Sequence, residues 1–397
     1  MKFIDEINID GGKVLFRFDF NVPLDNALQV TDDTRITEAL PTIRYALNKK
    51  ARVIMMSHLG RPKGKKSLQY SLAPVAGRLS TLLGRDVKMA GDCIGRAVEE
   101  LVDRMEPDSL ILLENLRFHA EEEANDDEFA SSLAALADVY IDDAFGNAHR
   151  AHASNTGVTK FVKACGAGFL IKKELNYLKT VLEKPDRPFV AIIGGAKVSG
   201  KMEVLLHLMT KVDKMIIGGA MAFTFLKAQG YDVGKSLVED DLQPKALEIM
   251  DMAEKQGVKL LLPVDCVMAE DKTNESPNAV MTIQSMNPEW MGLDIGPETT
   301  ALFSKALKDA KTIVWNGPMG LFEMDAYSAG TSALARSVAA SSAVSVVGGG
   351  DTVTAVHKAG VAERMSFIST GGGASLELLE GRVLPAIEAL EHCGSKI

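Results

Sequence analysis

Short apolar runs alternate along this chain with stretches of helical spacing, and that alternation constrains the fold more than any single motif. The runs lie at 14–18, 52–56, 110–113, 139–141, 189–193, 214–217, 259–262, 312–315, 344–347 and 367–369. Between them, segments such as 35–48, 72–83, 129–137, 242–256 and 299–308 carry apolar residues at 3.6-type spacing. Strands separated by helices of this length form parallel sheets with helices on both faces. With 397 residues the chain exceeds one typical core. The expected architecture is therefore α/β: two doubly wound parallel-sheet, Rossmann-like domains. Segment 170–182 reads as a helix, with Ile171, Leu175, Leu178 and Leu182 on one face, about 20 Å long. It is the expected hinge helix, broken by Pro185 and Pro188 before the next strand. The limits that follow are 1–169 for the first domain, 170–184 for the hinge and a second domain from 185.

Composition excludes several classes. A net charge of −9 argues against a nucleic-acid binder. No apolar run is long enough to cross a bilayer, and the N-terminus has no signal core. Cys93, Cys165, Cys266 and Cys393 are scattered without a C-x-x-C pair. That spacing fits reduced thiols in a cytoplasmic protein better than a disulfide framework or a zinc site.

The stretch Phe189 to Lys201 ends a buried strand in Gly194-Gly195 and leads into a helical pattern containing Val204, Leu205 and Leu208. Glycines allow a tight turn and close approach of a ligand, and a helix N-terminus attracts anions. Lys197 and Lys201, four apart, would share one helix face. Two adjacent ammonium groups call for a phosphate. The match to the P-loop G-x-x-x-x-G-K-[ST] fails at Met202, whose thioether cannot hold Mg²⁺. Read alone, the stretch is equally an ordinary strand-to-helix turn.

In open parallel sheets, ligands bind beyond the carboxyl ends of the strands. In the first half those ends carry Asp19 and Asn21, then His58 and Arg61, then Arg117, then Arg150. In the second half they carry Gly194-Gly195, Gly218-Gly219, Asn316-Gly317-Pro318, Gly348-Gly349-Gly350-Asp351-Thr352 and Gly371-Gly372-Gly373. The first half looks like a site for a small, multiply charged anion, and the second like a nucleotide site.

These residues resemble the phosphoglycerate kinase family from end to end. The matching segments are Arg17-Phe-Asp-Phe-Asn-Val-Pro23, Ser57-His-Leu-Gly-Arg-Pro62, Leu113-Glu-Asn-Leu-Arg117, Asp143-Ala-Phe-Gly146 with Ala148-His-Arg-Ala-His152, Gly194-Gly-Ala-Lys-Val198, Trp315-Asn-Gly-Pro318, Gly348-Gly-Gly-Asp-Thr352 and Ser369 to Glu377. One departure is Gly200, where the family usually has Asp, expected to loosen the following helix by up to ~1 kcal/mol.

The resemblance implies a kinase that moves a phosphoryl group between ATP and 3-phosphoglycerate, giving 1,3-bisphosphoglycerate and ADP, with Mg²⁺. It implies a 3-phosphoglycerate site of Asp19, Asn21, Arg35, His58, Arg61, Arg117 and Arg150, with Arg35, Lys197 and Lys201 catalytic. Nucleotide-binding positions would be Gly195, Lys201, Gly219, Gly292, Asn316, Glu323, Gly349, Gly350, Asp351 and Thr352, with Asp351 nearest the metal. It further implies a nucleotide domain ending near 384, a segment 385–397 that returns to the first domain, closure about the hinge, and a monomer. A carboxylate acceptor is already ionised at neutral pH, so no general base is needed. Asp142 and Asp143 are expected to hold the loop that carries Arg150. Two other classes predict different residues. A P-loop-like NTPase needs Ser or Thr at Met202, and a non-catalytic nucleotide-binding scaffold would lack Arg35, Lys197 or Lys201.

Overall fold

The computed structural model describes residues 1–393. They fall into two units, Met1–Leu175 with the C-terminal stretch from Val383, and Asn176–Arg382. In unit 1, β1 (Lys13–Phe18), β2 (Arg52–Met56), β3 (Val87–Met89), β4 (Leu110–Leu112), β5 (Val139–Asp143) and β6 (Ala164–Ala167) form an all-parallel sheet in the order β3-β4-β2-β1-β5-β6. Successive residues Val14, Leu15, Phe16 and Phe18 are all fully buried. Both faces of β1 are therefore covered, which is why it reads as a near-continuous apolar run, broken by Arg17, rather than an alternating one.

Unit 2 contains β7 (Phe189–Ile193), β8 (Lys214–Ile217), β9 (Lys259–Leu261), β10 (Asp265–Ala269), β11 (Asn278–Thr282), β12 (Met291–Ile295), β13 (Thr312–Asn316), β14 (Val344–Gly348) and β15 (Phe367–Ile368). Six of these form a second parallel sheet in the order β15-β14-β13-β7-β8-β9, while β10, β11 and β12 form a separate antiparallel sheet. Strand order reverses at β1 in one sheet and at β7 in the other. A doubly wound sheet leaves a crevice at such a switch point. The Gly194-Gly195 turn follows β7 directly, so the glycine-rich stretch stands where the topology opens the sheet.

The small antiparallel sheet, β3 and β6 are not expected from the sequence. The β6 run, Ala-Cys-Gly-Ala, has neither branched nor aromatic residues. In β11 the residues alternate between exposed and half-buried, which leaves no apolar face to see.

The helix Phe169–Glu183 runs through the division between Leu175 and Asn176. Asp143 holds its start: the Ile171 amide donates to one carboxylate oxygen at 3.0 Å, and the Thr42 hydroxyl donates to the other at 2.6 Å. The expectation that Asp143 secures the Arg150 loop is thus corrected. Asp142 accepts from the Ala144 amide at 2.9 Å, two residues on, where the loop toward Arg150 begins. The C-terminal helix Pro385–Cys393 lies on unit 1, where Ala386 donates to the Ala148 carbonyl and Cys393 is disulfide-bonded to Cys165 of β6. This corrects the reading of four reduced thiols. The partners stand 228 residues apart and meet only because the chain returns to its first sheet. Cys93 and Cys266 are free and buried. Residues 394–397 of the expected returning segment lie outside the described residues. Among the described residues no helix is long and apolar enough to cross a membrane.

Candidate active site

The strands β4, β2, β1 and β5 are neighbours, so the loops leaving their carboxyl ends share one rim of unit 1. Backbone and side-chain bonds knit these loops together. The Gly60 amide donates to Asn21 Oδ1 at 2.8 Å, and the Phe20 amide to Ser57 Oγ at 2.8 Å. Arg117 Nη1 donates to the Gly60 carbonyl at 2.9 Å. Asp19 Oδ2 accepts from Arg35 Nη1 at 2.5 Å, drawing the first turn of the helix Thr34–Asn48 onto the rim. Asp33, two residues before Arg35, is engaged by Arg78 at 2.6 Å. Arg61 is exposed and Arg150 half-buried, with Arg150 Nε against His149 Nε2 at 3.2 Å.

His58 is buried, 2 % exposed. Burial first, then the charges of Arg17, Arg117, Arg150 and Arg35, hold its pKa well below the usual histidine value. The imidazole is neutral at physiological pH, fit to share a hydrogen bond and unfit to add a further charge. Bonds and charges on this rim thus join Asp19 to Arg35, Asn21 and Arg117 to Gly60, and Arg35, Arg117 and Arg150 to His58, while Arg61 follows Gly60 and is exposed.

It also shows what sequence reasoning missed. Arg17 sits inside the apolar run of β1 and is 1 % exposed. Its Nη2 stands 3.2 Å from His58 Nδ1, and its Nε donates to Ser154 Oγ at 2.9 Å. A charged residue within an otherwise apolar strand was the available signal, because such a group is buried only with partners.

The glycine-rich rim of unit 2 encloses two adjoining cavities. One, of about 370 Å³, is lined by Lys197, Lys201, Asn316, Gly349, Gly350 and Thr352 among others. The second, of about 320 Å³ and more apolar, includes Gly219, Phe223, Gly292, Leu293 and Glu323. Gly195 and Asp351 line both. Lys201 Nζ donates to Asn316 Oδ1. Burial lowers the Lys201 pKa, while the charges of Asp351 and Glu380 work against that shift. Thr352 is 1 % exposed, and its hydroxyl accepts from the Gly317 amide at 2.7 Å, so it braces the turn after β13.

Two expectations change. The helix begins at Met202 with Lys201 as its N-cap, so Lys197 and Lys201 do not share a helical face. They line one cavity because the turn 194–201 curls around it. For the same reason Gly200 lies outside the helix, and the expected loosening of that helix does not arise.

Nor do the glycines act alike. A Cβ on Gly219 would stand 2.6 Å from the backbone of Gly195, and one on Gly317 would stand 2.1 Å from the Gly194 carbonyl. Those positions are glycine because backbone packs on backbone. Gly195 and Gly350, by contrast, have no atom within 4 Å of a built Cβ and face open space.

A family model described as phosphoglycerate kinase matches residues 4–382. The phosphoglycerate kinase of Geotalea uraniireducens is 56 % identical over 397 residues, covering 100 % of both chains. That of Moorella thermoacetica is 56 % identical over 387 residues, 98 % of each. The solved phosphoglycerate kinase of Coxiella burnetii superposes with a TM-score of 0.92 at 44 % identity, over 98 % of this chain and 99 % of that one. The enzyme of Pyrococcus horikoshii superposes with a TM-score of 0.85 at 30 % identity, over the whole of both chains.

Proposed function

This chain belongs to the phosphoglycerate kinase family, and from that premise we propose how its two half-sites divide one phosphoryl transfer. The enzyme is a phosphotransferase with a carboxyl group as acceptor. It moves a phosphoryl group reversibly between ATP and 3-phosphoglycerate, in glycolysis and gluconeogenesis. The observation that carries the division of labour is the convergence of Arg35, Arg117 and Arg150 on neutral His58. Such a rim suits a small acid bearing both phosphate and carboxylate, since guanidinium groups bind both in bidentate fashion.

In this reading Arg61, Arg117 and Arg150 hold 3-phosphoglycerate, with Asp19, Asn21 and His58 completing the site. Arg35 lies against the group in transfer and is kept there by Asp19. The acid oxygen needs no deprotonation, so the residues supply charge and donors rather than a base. In unit 2 the Gly349 and Gly350 amides and Lys201 take the ATP phosphates, and Lys197 follows the transferring group. Gly219, Gly292 and Glu323 line the cavity for base and ribose. The residues present fit Mg²⁺ in the way that ion prefers: Asp351, on both cavities, offers one hard carboxylate, and phosphate and water complete the shell. Bound there, Mg²⁺ would neutralise phosphate charge.

The domain limits follow the same division: 1–169 for the acid, 170–184 as hinge, 185–384 for nucleotide, and 385–397 returning. Arg35 and Lys197 must act on one phosphoryl group, so binding of both substrates should compact the molecule, a monomer in the cytoplasm. Small-angle scattering with both substrates tests this, and an unchanged radius of gyration counts against it. A coupled assay tests the reaction itself. ADP release that does not depend on 3-phosphoglycerate would overturn the reading.

A further inference from the structure

Arg17 lies below the rim rather than on it, inside β1 and 1 % exposed. It is the centre of a chain of bonds whose directions are fixed by chemistry. A guanidinium has only donors, and a carboxylate only acceptors. Arg17 Nε therefore donates to Ser154 Oγ at 2.9 Å, and the Ser154 hydroxyl in turn donates to Glu122 Oε1 at 2.6 Å. Glu122 is fully buried, and its other oxygen accepts from the Ser154 amide at 2.9 Å. Its pKa stays low despite burial, helped by His152, Arg17 and Ser154. Arg17 Nη1 donates to the Phe18 carbonyl. The guanidinium is thus held through Nε and Nη1, with Nη2 turned to His58 Nδ1 at 3.2 Å.

Because Arg17 can only donate, that contact makes Nδ1 an acceptor and leaves the ring proton on Nε2. We propose that Arg17, braced by Ser154 and Glu122, is a positioning residue that locks His58 in the neutral Nε2–H tautomer. His58 then shows the anionic substrate one donor in one orientation. Without the lock, the proton can sit on Nδ1, and Nε2 would present a lone pair to an anion. The inference rests on the 3-phosphoglycerate site proposed above. It extends that proposal to a side chain that does not touch substrate.

The test begins with the unaltered enzyme and needs no variant to fold. Long-range ¹H–¹⁵N spectra of the free protein at pH 7 are expected to show His58 with Nδ1 unprotonated and Nε2 protonated. An Nδ1–H tautomer, a mixture or an imidazolium would overturn the lock. Adding 3-phosphoglycerate should then shift the Nε2 resonance. If the tautomer is as stated but this resonance does not move, the substrate site is wrong and the role assigned to the lock falls with it. Turnover of 3-phosphoglycerate with the wrong tautomer sinks the lock alone.

Arg17→Met should mix the tautomers and raise the KM for 3-phosphoglycerate about 10–100-fold, the range for losing a hydrogen bond to a charged group. The KM for ATP should be unchanged. Arg17→Lys, which keeps a donor and adds no acceptor, should retain the Nε2–H signature. Ser154→Ala frees Arg17 from Glu122 and should show a smaller tautomer shift if Arg17→Met fails to fold. A packing role alone would raise no KM selectively and move no tautomer.

Discussion

The two units recognise charge with different parts of the chain. The rim of unit 1 offers side chains: Arg35, Arg117, Arg150 and His58. That of unit 2 offers main-chain turns at Gly194-Gly195, Gly317 and Gly349-Gly350. Long cations carry rotamer entropy, so each must be tethered before it can act on a substrate. Unit 1 supplies the tethers beneath its rim, in Asp19 on Arg35, the Gly60 carbonyl on Arg117, and Ser154 with Glu122 on Arg17. Backbone amides have no rotamers to lose. Unit 2 needs instead that turns approach each other closely, and it achieves this by removing Cβ atoms where Gly317 meets Gly194 and Gly219 meets Gly195. Side-chain recognition is built on buried polar networks, and backbone recognition on dense packing.

The sharpest break of this contrast is Arg35→Ala. Turnover in the coupled assay should fall on the order of 10²–10⁵-fold, as when a cation on a transferring phosphoryl group is removed. The fold should survive, because the Arg35 side chain is 37 % exposed and lies at the rim rather than in the core. Turnover like that of the unaltered enzyme would remove Arg35 from the chemistry. Lys201→Ala comes next. It takes one charged donor from the main-chain site and should raise the KM for ATP about 10–100-fold, with a fall in rate. The 3-phosphoglycerate KM should hold. Unaltered ATP affinity would mean that the Lys201 side chain serves only to hold Asn316.

The same contrast decides what could be read from sequence. Unit 1's rim was legible because Arg, His and Asn at strand ends name their chemistry, and the parallel order sets those ends side by side. Arg17 stood out as a charge within an apolar strand, but its role was not legible, since its partners Ser154 and Glu122 lie far along the chain. In unit 2 the glycines marked the right loops but not their purpose. A glycine required by packing and one left bare for a ligand are the same letter, and only neighbours at 2–3 Å separate Gly219 from Gly350. The sheets were legible from apolar runs that are buried on both faces. The β10–β12 sheet was not, because its strands are bounded by turns and one of them is half-exposed along its length.

A pair of alanines turns that distinction into a measurement. Gly219→Ala places a side chain at φ +68° against backbone atoms 2.6 Å away. It should lower unit 2's stability by about 2–4 kcal/mol, summing left-handed strain and overpacking. Gly350→Ala meets nothing within 4 Å and lies in the first turn of the helix Gly350–Lys358. Its stability should be equal or higher by up to ~1 kcal/mol from helix propensity, while ATP binding weakens severalfold. Chemical denaturation beside ATP titration checks both. If Gly350→Ala destabilises and Gly219→Ala only weakens ATP binding, the assignment of packing and ligand glycines is reversed.

A further expected effect concerns Asp294, the buried carboxyl that lines unit 2's apolar cavity. It accepts from the Gly330 amide at 2.7 Å and the Ile295 amide at 2.9 Å, yet no cation pairs with it among the described residues. Burial pushes its pKa up to about 7. The unfolded carboxyl titrates near 3.9, so between about pH 4 and 7 the folded state holds a proton that the unfolded state has lost. Its contribution to stability is complete below that window and is lost as pH rises through about 7. Other groups titrate as well, including His58, whose lowered pKa acts in the opposite direction. The comparison with Asp294→Asn isolates the one proton. From pH 5 to 7 the stability of the unaltered enzyme relative to Asp294→Asn should fall by up to about 1.4 kcal/mol per pH unit, then level off. Both tryptophans, Trp290 and Trp315, lie in unit 2, so urea unfolding followed by their fluorescence reports the correct unit. A difference that does not change with pH would show that the carboxyl is ionised in the folded protein and that its two amide donors outweigh its burial.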